Sequence, residues 1–209
     1  MHSLGIRGFA NERTNDQRTS ELASGRRKGL TGFSGSVGIE DDLGDYAWVM
    51  TTTPNPYASD LGNSDALEAL AVSPGRIRAF VERWTDADFE RTYAPGKWSI
   101  RKVLIHLAQT ELALPTRVRF ALSQPGYIAQ SFDQDDWMPV DEKTDARTAL
   151  DAYTTLRRFN HAMFRSLTPE QRERTFSHPE YGTLTVWWVA NQLAGHDIHH
   201  LKQIEAVKF

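Results

Sequence analysis

Read for hydrophobic spacing, the chain divides into two unlike parts. From Ser64 onward apolar residues recur at three- and four-residue steps, the spacing of one helix face, and no alternating run of convincing strand length interrupts them. "SDALEAL" opens a short helix behind an Asn-Ser-Asp cap signal. Ser73 and Pro74 then read as the N-cap and first residue of a main first helix that runs to about Trp84, with Ile77, Phe80, Val81 and Trp84 as its stripe. "TDADFE" adds one more turn behind a threonine cap. After the "APGKWS" turn, Ser99 caps a second helix that carries Ile100, Val103, Leu107, Leu114 and Val118 on one face. Pro115 lies inside it and predicts a kink, because proline has no N–H to donate to the Glu111 carbonyl.

"SQPGYIAQSFDQDDWMPVDEKT" is expected to be a long connection, rich in turn formers yet holding Tyr127, Phe132 and Trp137, and such loops often cover a site. The third helix is expected from about Asp145 to Leu167, with Leu156, Phe159, Met163 and Phe164 inward. "TPEQ" opens another short helix, "HPEYGTLT" reads as a turn, and the fourth long helix occupies about Leu184 to Lys208. Four long helices joined in this way predict an all-α four-helix bundle, a fold whose core is where metal sites are built.

The first 49 residues follow another logic. They hold eight of the fourteen glycines and almost no periodic apolar spacing, too little buried surface to offset the entropy of ordering. A disordered tail is one reading. The other is a misassigned start, with Met50 as the natural first residue. Arg26 and Arg27 have the look of a twin-arginine signal, but the apolar stretch that should follow is missing. The folded domain is therefore expected to span residues 50–209.

Composition narrows the function classes. A formal net charge of −3 and a pI near 6.2 give no basic footprint for nucleic acid. No apolar run approaches the roughly 20 residues that span a bilayer, so the expected compartment is the cytoplasm. With no cysteine, disulfides, thiolate ligands and cysteine nucleophiles are excluded together, leaving histidine and carboxylate for site chemistry.

Histidine is scarce, seven in 209 residues, yet "AGHDIHHLKQIE" crowds three of them into five positions. The apolar seam of the fourth helix runs Val186, Val189, Leu193, His196, His200, Ile204, Val207. At about 100° per residue, His196 and His200 fall within roughly 60° of Leu193, whereas His199 falls about 120° away on the flank. Two histidines one turn apart on an inward seam point to a shared metal ion, since burying two unpaired imidazoles is otherwise costly. The alternative is a pair of core histidines bonded to carbonyls and acids. A third ligand is open from spacing alone: His106 borders the second helix's stripe, and His161, in a more polar setting beside Arg158 and Asn160, is its rival. His2 and His178 sit in the tail and in a turn.

Two stretches together resemble the DinB-like superfamily in its YfiT-type, metal-binding branch. "APGKWSIRKVLIHLAQTE" is similar to the family's opening motif, a Trp-Ser pair ahead of a histidine on the second helix, and "HPEYGTLT" followed by "LAGHDIHHLKQIE" to its C-terminal motif. The resemblance covers roughly residues 66–208, with no counterpart expected upstream of Met50. It implies a four-helix bundle with a divalent ion, usually nickel or zinc, held by His106, His196 and His200, with His199 a companion that does not ligate. Dimers are common in the family, so a homodimer is an expectation.

Three nitrogen ligands leave a position open for water or substrate, the mark of a catalytic site. Characterised members of the family it resembles include thiol S-transferases and thiol-dependent isomerases that use small bacterial thiols, and others are described as hydrolases by name alone. The leading expectation is therefore a metal-dependent transferase that activates a low-molecular-weight thiol toward a small electrophile. Hydrolysis by water activated at the same ion and a non-catalytic metal-binding bundle are the alternatives. Without a cysteine ligand, iron and manganese fit as well as zinc and nickel. Glu111 and Asp197 are candidates for carboxylates behind the ligands or in a proton relay, against ordinary buried polar contacts. Trp98 and Trp137 are candidates for pocket lining, against core filling for Trp98 and surface packing for Trp137.

Overall fold

The long helices here start where a side chain satisfies the first backbone N–H groups. The computed structural model describes residues 53–209. The glycine-rich stretch, the twin arginines and Met50 lie outside the described residues. A one-turn helix α1 (Ala58–Leu61) leads into α2 (Ala66–Val81), where the Asp65 side chain accepts from the Glu68 N–H. A capping box at Thr85 and Asp88 opens the short α3 (Asp86–Phe89), and Ser99 caps the long α4 (Ile100–Ser123). Asp133 opens α5 (Gln134–Asp141), Asp145 opens α6 (Ala146–Ser166) and Thr168 opens α7 (Pro169–Glu173). An antiparallel hairpin follows, β1 (Thr175–His178) against β2 (Gly182–Thr185), and Thr185 then caps α8 (Val186–Glu205).

α2, α4, α6 and α8 are the four walls. α4 packs on α6 and α8, and α2 packs on the same two from the opposite side, so α2 lies diagonal to α4 and α6 diagonal to α8. Two apolar clusters fill the interior. One surrounds Leu70, Leu114, Phe164, Val189 and Leu193; the other surrounds Ile77, Phe89, Leu104, Tyr153 and Ile204. Among the described residues no helix is long and apolar enough to cross a membrane.

Several sequence expectations change. Pro74 lies in the middle of α2 and does not begin it, because Asp65 supplies the better cap eight residues before Ser73. Phe80 is 42% exposed, so the stripe of α2 continues through Ile77 and Val81 without it. The "HPEYGTLT" turn is part of the hairpin, and Leu184 belongs to β2 and not to the last helix. Strands of four residues are too short to show alternation, and the hairpin is held by burying Phe176 and Leu184, which face each other across it. The long connection contains α5, which Asp133 nucleates by accepting from the Asp135 and Asp136 N–H groups.

The largest correction concerns α6. Phe159 is 66% exposed, while Arg157 and Asn160 point inward and are nearly inaccessible. A stripe drawn through large apolar residues therefore misses the face that is buried. Pro115 explains part of this. It deprives the Glu111 carbonyl of its helical donor, and the Asn160 Nδ2 amide donates to that carbonyl at 2.9 Å. Asn160 thus replaces, across the helix interface, a bond that α4 does not make for itself.

Gly195 shows how closely α1 is docked on α8. A Cβ there would stand 2.5 Å from the Tyr57 carbonyl oxygen and 2.8 Å from its Cβ. Gly195→Ala gains about 1 kcal/mol of helix propensity but must push this backbone away, at roughly 1–3 kcal/mol. The expected outcome is a lowered thermal midpoint together with faster proteolysis within residues 53–61. A higher midpoint with unchanged proteolysis would show that α1 yields freely.

Candidate metal centre

α4 and α8 pack against each other so that His106 meets His196 and His200, which are one turn apart on α8. Their exposures are 0%, 1% and 0%. The three Nε2 atoms converge: His106 Nε2 and His200 Nε2 each lie 2.9 Å from His196 Nε2. Among the described residues this is a group whose ligand atoms all lie within 4.8 Å of one another. Burial, followed by the neighbouring imidazoles, holds His106 and His196 well below the ordinary histidine range, and burial brings His200 down to about 4. All three rings are therefore neutral at pH 7, the state in which imidazole ligates metal.

Hydrogen bonding alone suits this arrangement poorly. His196 Nε2 offers either one proton or one in-plane lone pair, and neither makes full hydrogen bonds to two nitrogens both 2.9 Å away. A cation at the centre would turn the same convergence of lone pairs into ligation. An all-nitrogen set of three suits zinc, nickel and other first-row divalent ions, and leaves coordination positions open.

Aromatic rings wall the cluster. Trp98 meets His106 edge-on with centroids 5.5 Å apart, Phe132 stacks on His106 at 6.3 Å, and Tyr57 meets His196 edge-on at 5.1 Å. Trp137 touches Phe132 at 4.8 Å, so it stands one ring away from the histidines and is 38% exposed.

Beside the histidines lies a buried ionic triad. Arg157 Nε and Nη2 donate to Glu111 Oε1 at 3.0 and 2.6 Å, and Nη2 also donates to Asp197 Oδ1 at 3.0 Å. Arg157 Nη1 and the Tyr153 hydroxyl both donate to Asp197 Oδ2. Asn160 Nδ2 completes the set by donating to Glu111 Oε2 at 2.9 Å. Burial pushes Asp197 up to about 6 against the pull of the Arg157 guanidinium, while burial and the Asp197 charge push the Tyr153 hydroxyl well above its usual range. Asp197 follows His196 directly in α8, so the triad locks the backbone that carries a ligand candidate.

Residues 69–204 match the family model of the DinB superfamily. The chain belongs to the DinB superfamily. Among its relatives is a Bacillus subtilis protein named "Putative metal-dependent hydrolase YfiT", 26% identical over 174 residues that make up 81% of this chain and 93% of the relative. That share is larger than residues 50–209 provide, so the similarity reaches ahead of Met50, where the sequence reading expects no counterpart. A protein of Oceanobacillus iheyensis, also named a "Putative metal-dependent hydrolase", is 27% identical over 135 residues, 64% of this chain and 78% of its own. The solved structure of YfiT, described as having an unusual four-helix bundle topology, superposes with a TM-score of 0.63 at 26% identity over 67% of this chain and 82% of that one.

In this DinB-superfamily protein the fold brings His106, His196 and His200 together and leaves His161 aside, its Nε2 against the Leu67 carbonyl at 3.1 Å. Glu111 and Asp197 accept from Arg157, Asn160 and Tyr153. His178 is 5% exposed in β1, where its Nδ1 accepts from the Glu180 and Tyr181 N–H groups, so it stabilises the hairpin turn. Sequence reasoning missed Arg157, Asn160, Tyr153 and Tyr57, while Phe132 stands in the aromatic connection expected to cover a site. The signal for Arg157 and Asn160 was their spacing from Tyr153 and Phe164, which places all four on one face of α6.

Proposed function

We propose that this protein is a divalent-metal-dependent enzyme whose ion is held by His106, His196 and His200. The observation that carries the reading is the convergence of three buried, neutral imidazoles, with two nitrogens 2.9 Å from a His196 Nε2 that has a single proton or a single lone pair to offer them. Bound there, a divalent ion supplies Lewis acidity and lowers the pKa of a water or thiol at an open position. The chain's own residues orient the ligands and exclude bulk water. Trp98, Phe132 and Tyr57 form apolar walls around the rings, and the Arg157 triad anchors the α8 backbone next to His196.

Water is the nucleophile that the names of the relatives favour, which makes hydrolysis the reading to test first. A low-molecular-weight thiol as acceptor remains the reading drawn from the sequence resemblance, and it uses the same open position. Zinc or nickel leads among the ions because the donor set is purely imidazole, with iron and manganese also accommodated.

The test is metal content of protein purified without an affinity tag, alongside His106→Ala, His196→Ala and His200→Ala. About one equivalent of divalent ion in the wild type, lost in each variant, is expected. Wild-type protein that takes up no added zinc, nickel, iron or manganese would sink the enzyme reading. Loaded protein assayed on ester and amide substrates with and without added small thiols then separates hydrolysis from thiol transfer.

A further inference from the structure

His200 has its second ring nitrogen engaged in a chain of contacts that leads away from the metal centre. His200 Nδ1 lies 2.6 Å from Gln203 Oε1. Gln203 Nε2 is 3.1 Å from the Tyr93 hydroxyl oxygen, to which it donates, and 2.9 Å from His199 Nε2. His199 Nδ1 in turn stands 3.4 Å from Asp60 Oδ2, and Lys202 Nζ holds Asp60 Oδ1 at 3.0 Å. His199 and His200 are four and three residues before Gln203 on α8, so both reach the same amide.

The polarity of the chain runs one way. The Asp60 carboxylate favours a proton on His199 Nδ1, which leaves His199 Nε2 as an acceptor. Gln203 Nε2 has two protons, one for His199 and one for Tyr93, so its oxygen must face His200. An amide oxygen only accepts, hence the proton on His200 is on Nδ1 and the Nε2 lone pair points at His106 and His196. A flipped amide would place the His200 proton on Nε2, where it blocks ligation.

We infer that Gln203, set by Asp60 through His199, is a positioning residue that selects the metal-binding tautomer of His200. The inference rests on the three-histidine reading above. Second nitrogens of ligating histidines are commonly held by such acceptors, and their loss costs about 10- to 100-fold in metal affinity. It also accounts for the third histidine of the C-terminal cluster, which faces the flank and not the centre.

Two measurements on the full chain test it: zinc affinity by competition with a chromogenic chelator, and the tautomer of His200 in metal-free protein by nitrogen NMR of the imidazole. Wild type is expected to show the Nδ1–H tautomer. Gln203→Leu is expected to bind one zinc with affinity lowered about 10- to 100-fold, with His200 shifted toward the Nε2–H form. Gln203→Glu, which keeps an oxygen facing His200, should recover most of both. If Gln203→Leu misfolds, Gln203→Asn, too short to reach His200, takes its place. Unchanged zinc affinity in a folded variant, or an Nε2–H tautomer in wild type, overturns the inference while leaving the metal site intact. Wild type that binds no zinc but shows the Nδ1–H tautomer overturns the metal reading instead.

Discussion

Arg157→Met is expected to lower the unfolding free energy by roughly 3–5 kcal/mol at neutral pH, because it leaves two buried carboxylates without their counter-charge. Arg157 is 3% exposed and joins Glu111 of α4 to Asp197 of α8 from its place on α6. Three walls of the bundle therefore meet at one guanidinium. The sign of the pH dependence follows from Asp197, whose carboxyl burial already pushes up to about 6 with Arg157 in place. A carboxyl raised above its unfolded value carries no penalty at low pH, where both states are protonated, and a growing one as pH rises through the gap. Removing the guanidinium widens that gap, so the deficit of the variant should be smaller at pH 5 than at pH 7. Urea unfolding at the two pH values measures it. Adding Glu111→Gln and Asp197→Asn to the variant should restore much of the loss by removing both charges. A deficit under about 1 kcal/mol at pH 7 would show that the triad does not hold the walls together.

The second large effect is stabilisation by metal. An ion that binds the folded chain alone adds about 2.7 kcal/mol at a hundredfold excess over Kd and about 4.1 kcal/mol at a thousandfold excess. For a domain of this size each kcal/mol moves Tm by about 2–4 °C, so zinc or nickel should raise the calorimetric midpoint by roughly 5–15 °C above that of chelator-treated protein. His200→Ala should show no such rise. The metal-free wild type and the metal-free variant should unfold at more similar temperatures, since replacing His200 also relieves the crowding around His196 Nε2. An equal rise in wild type and variant would mean that the ion binds elsewhere.

How much of this was legible beforehand depends on the scale at which the chain encodes it. The existence of four long helices, the Ser99 cap, the stripe from Ile100 to Val118 and the inward turn of His196 and His200 are written locally, in steps of three and four residues. The pairing of β1 with β2 was not, because four-residue strands rely on packing of Phe176 and Leu184 beneath neighbouring elements. Nor was the helix within the aromatic connection, where a single Asp133 cap outweighs a run of turn formers.

The site divides along the same line. Spacing on α8 by itself determined that two imidazoles share an inward seam, because a helix repeats every 3.6 residues whatever surrounds it. Spacing left His106 and His161 open and the family resemblance named His106; the tertiary structure brings the His106 ring to the other two, and it alone decided that Glu111 and Asp197 grip Arg157. It alone brought Asp60 of α1 to His199 and Tyr93 to Gln203, across separations of more than a hundred residues. A polar residue on an otherwise apolar face is ambiguous in sequence, since a buried charge is tolerable only when another element delivers its counter-charge, and which element does so is settled when the helices pack.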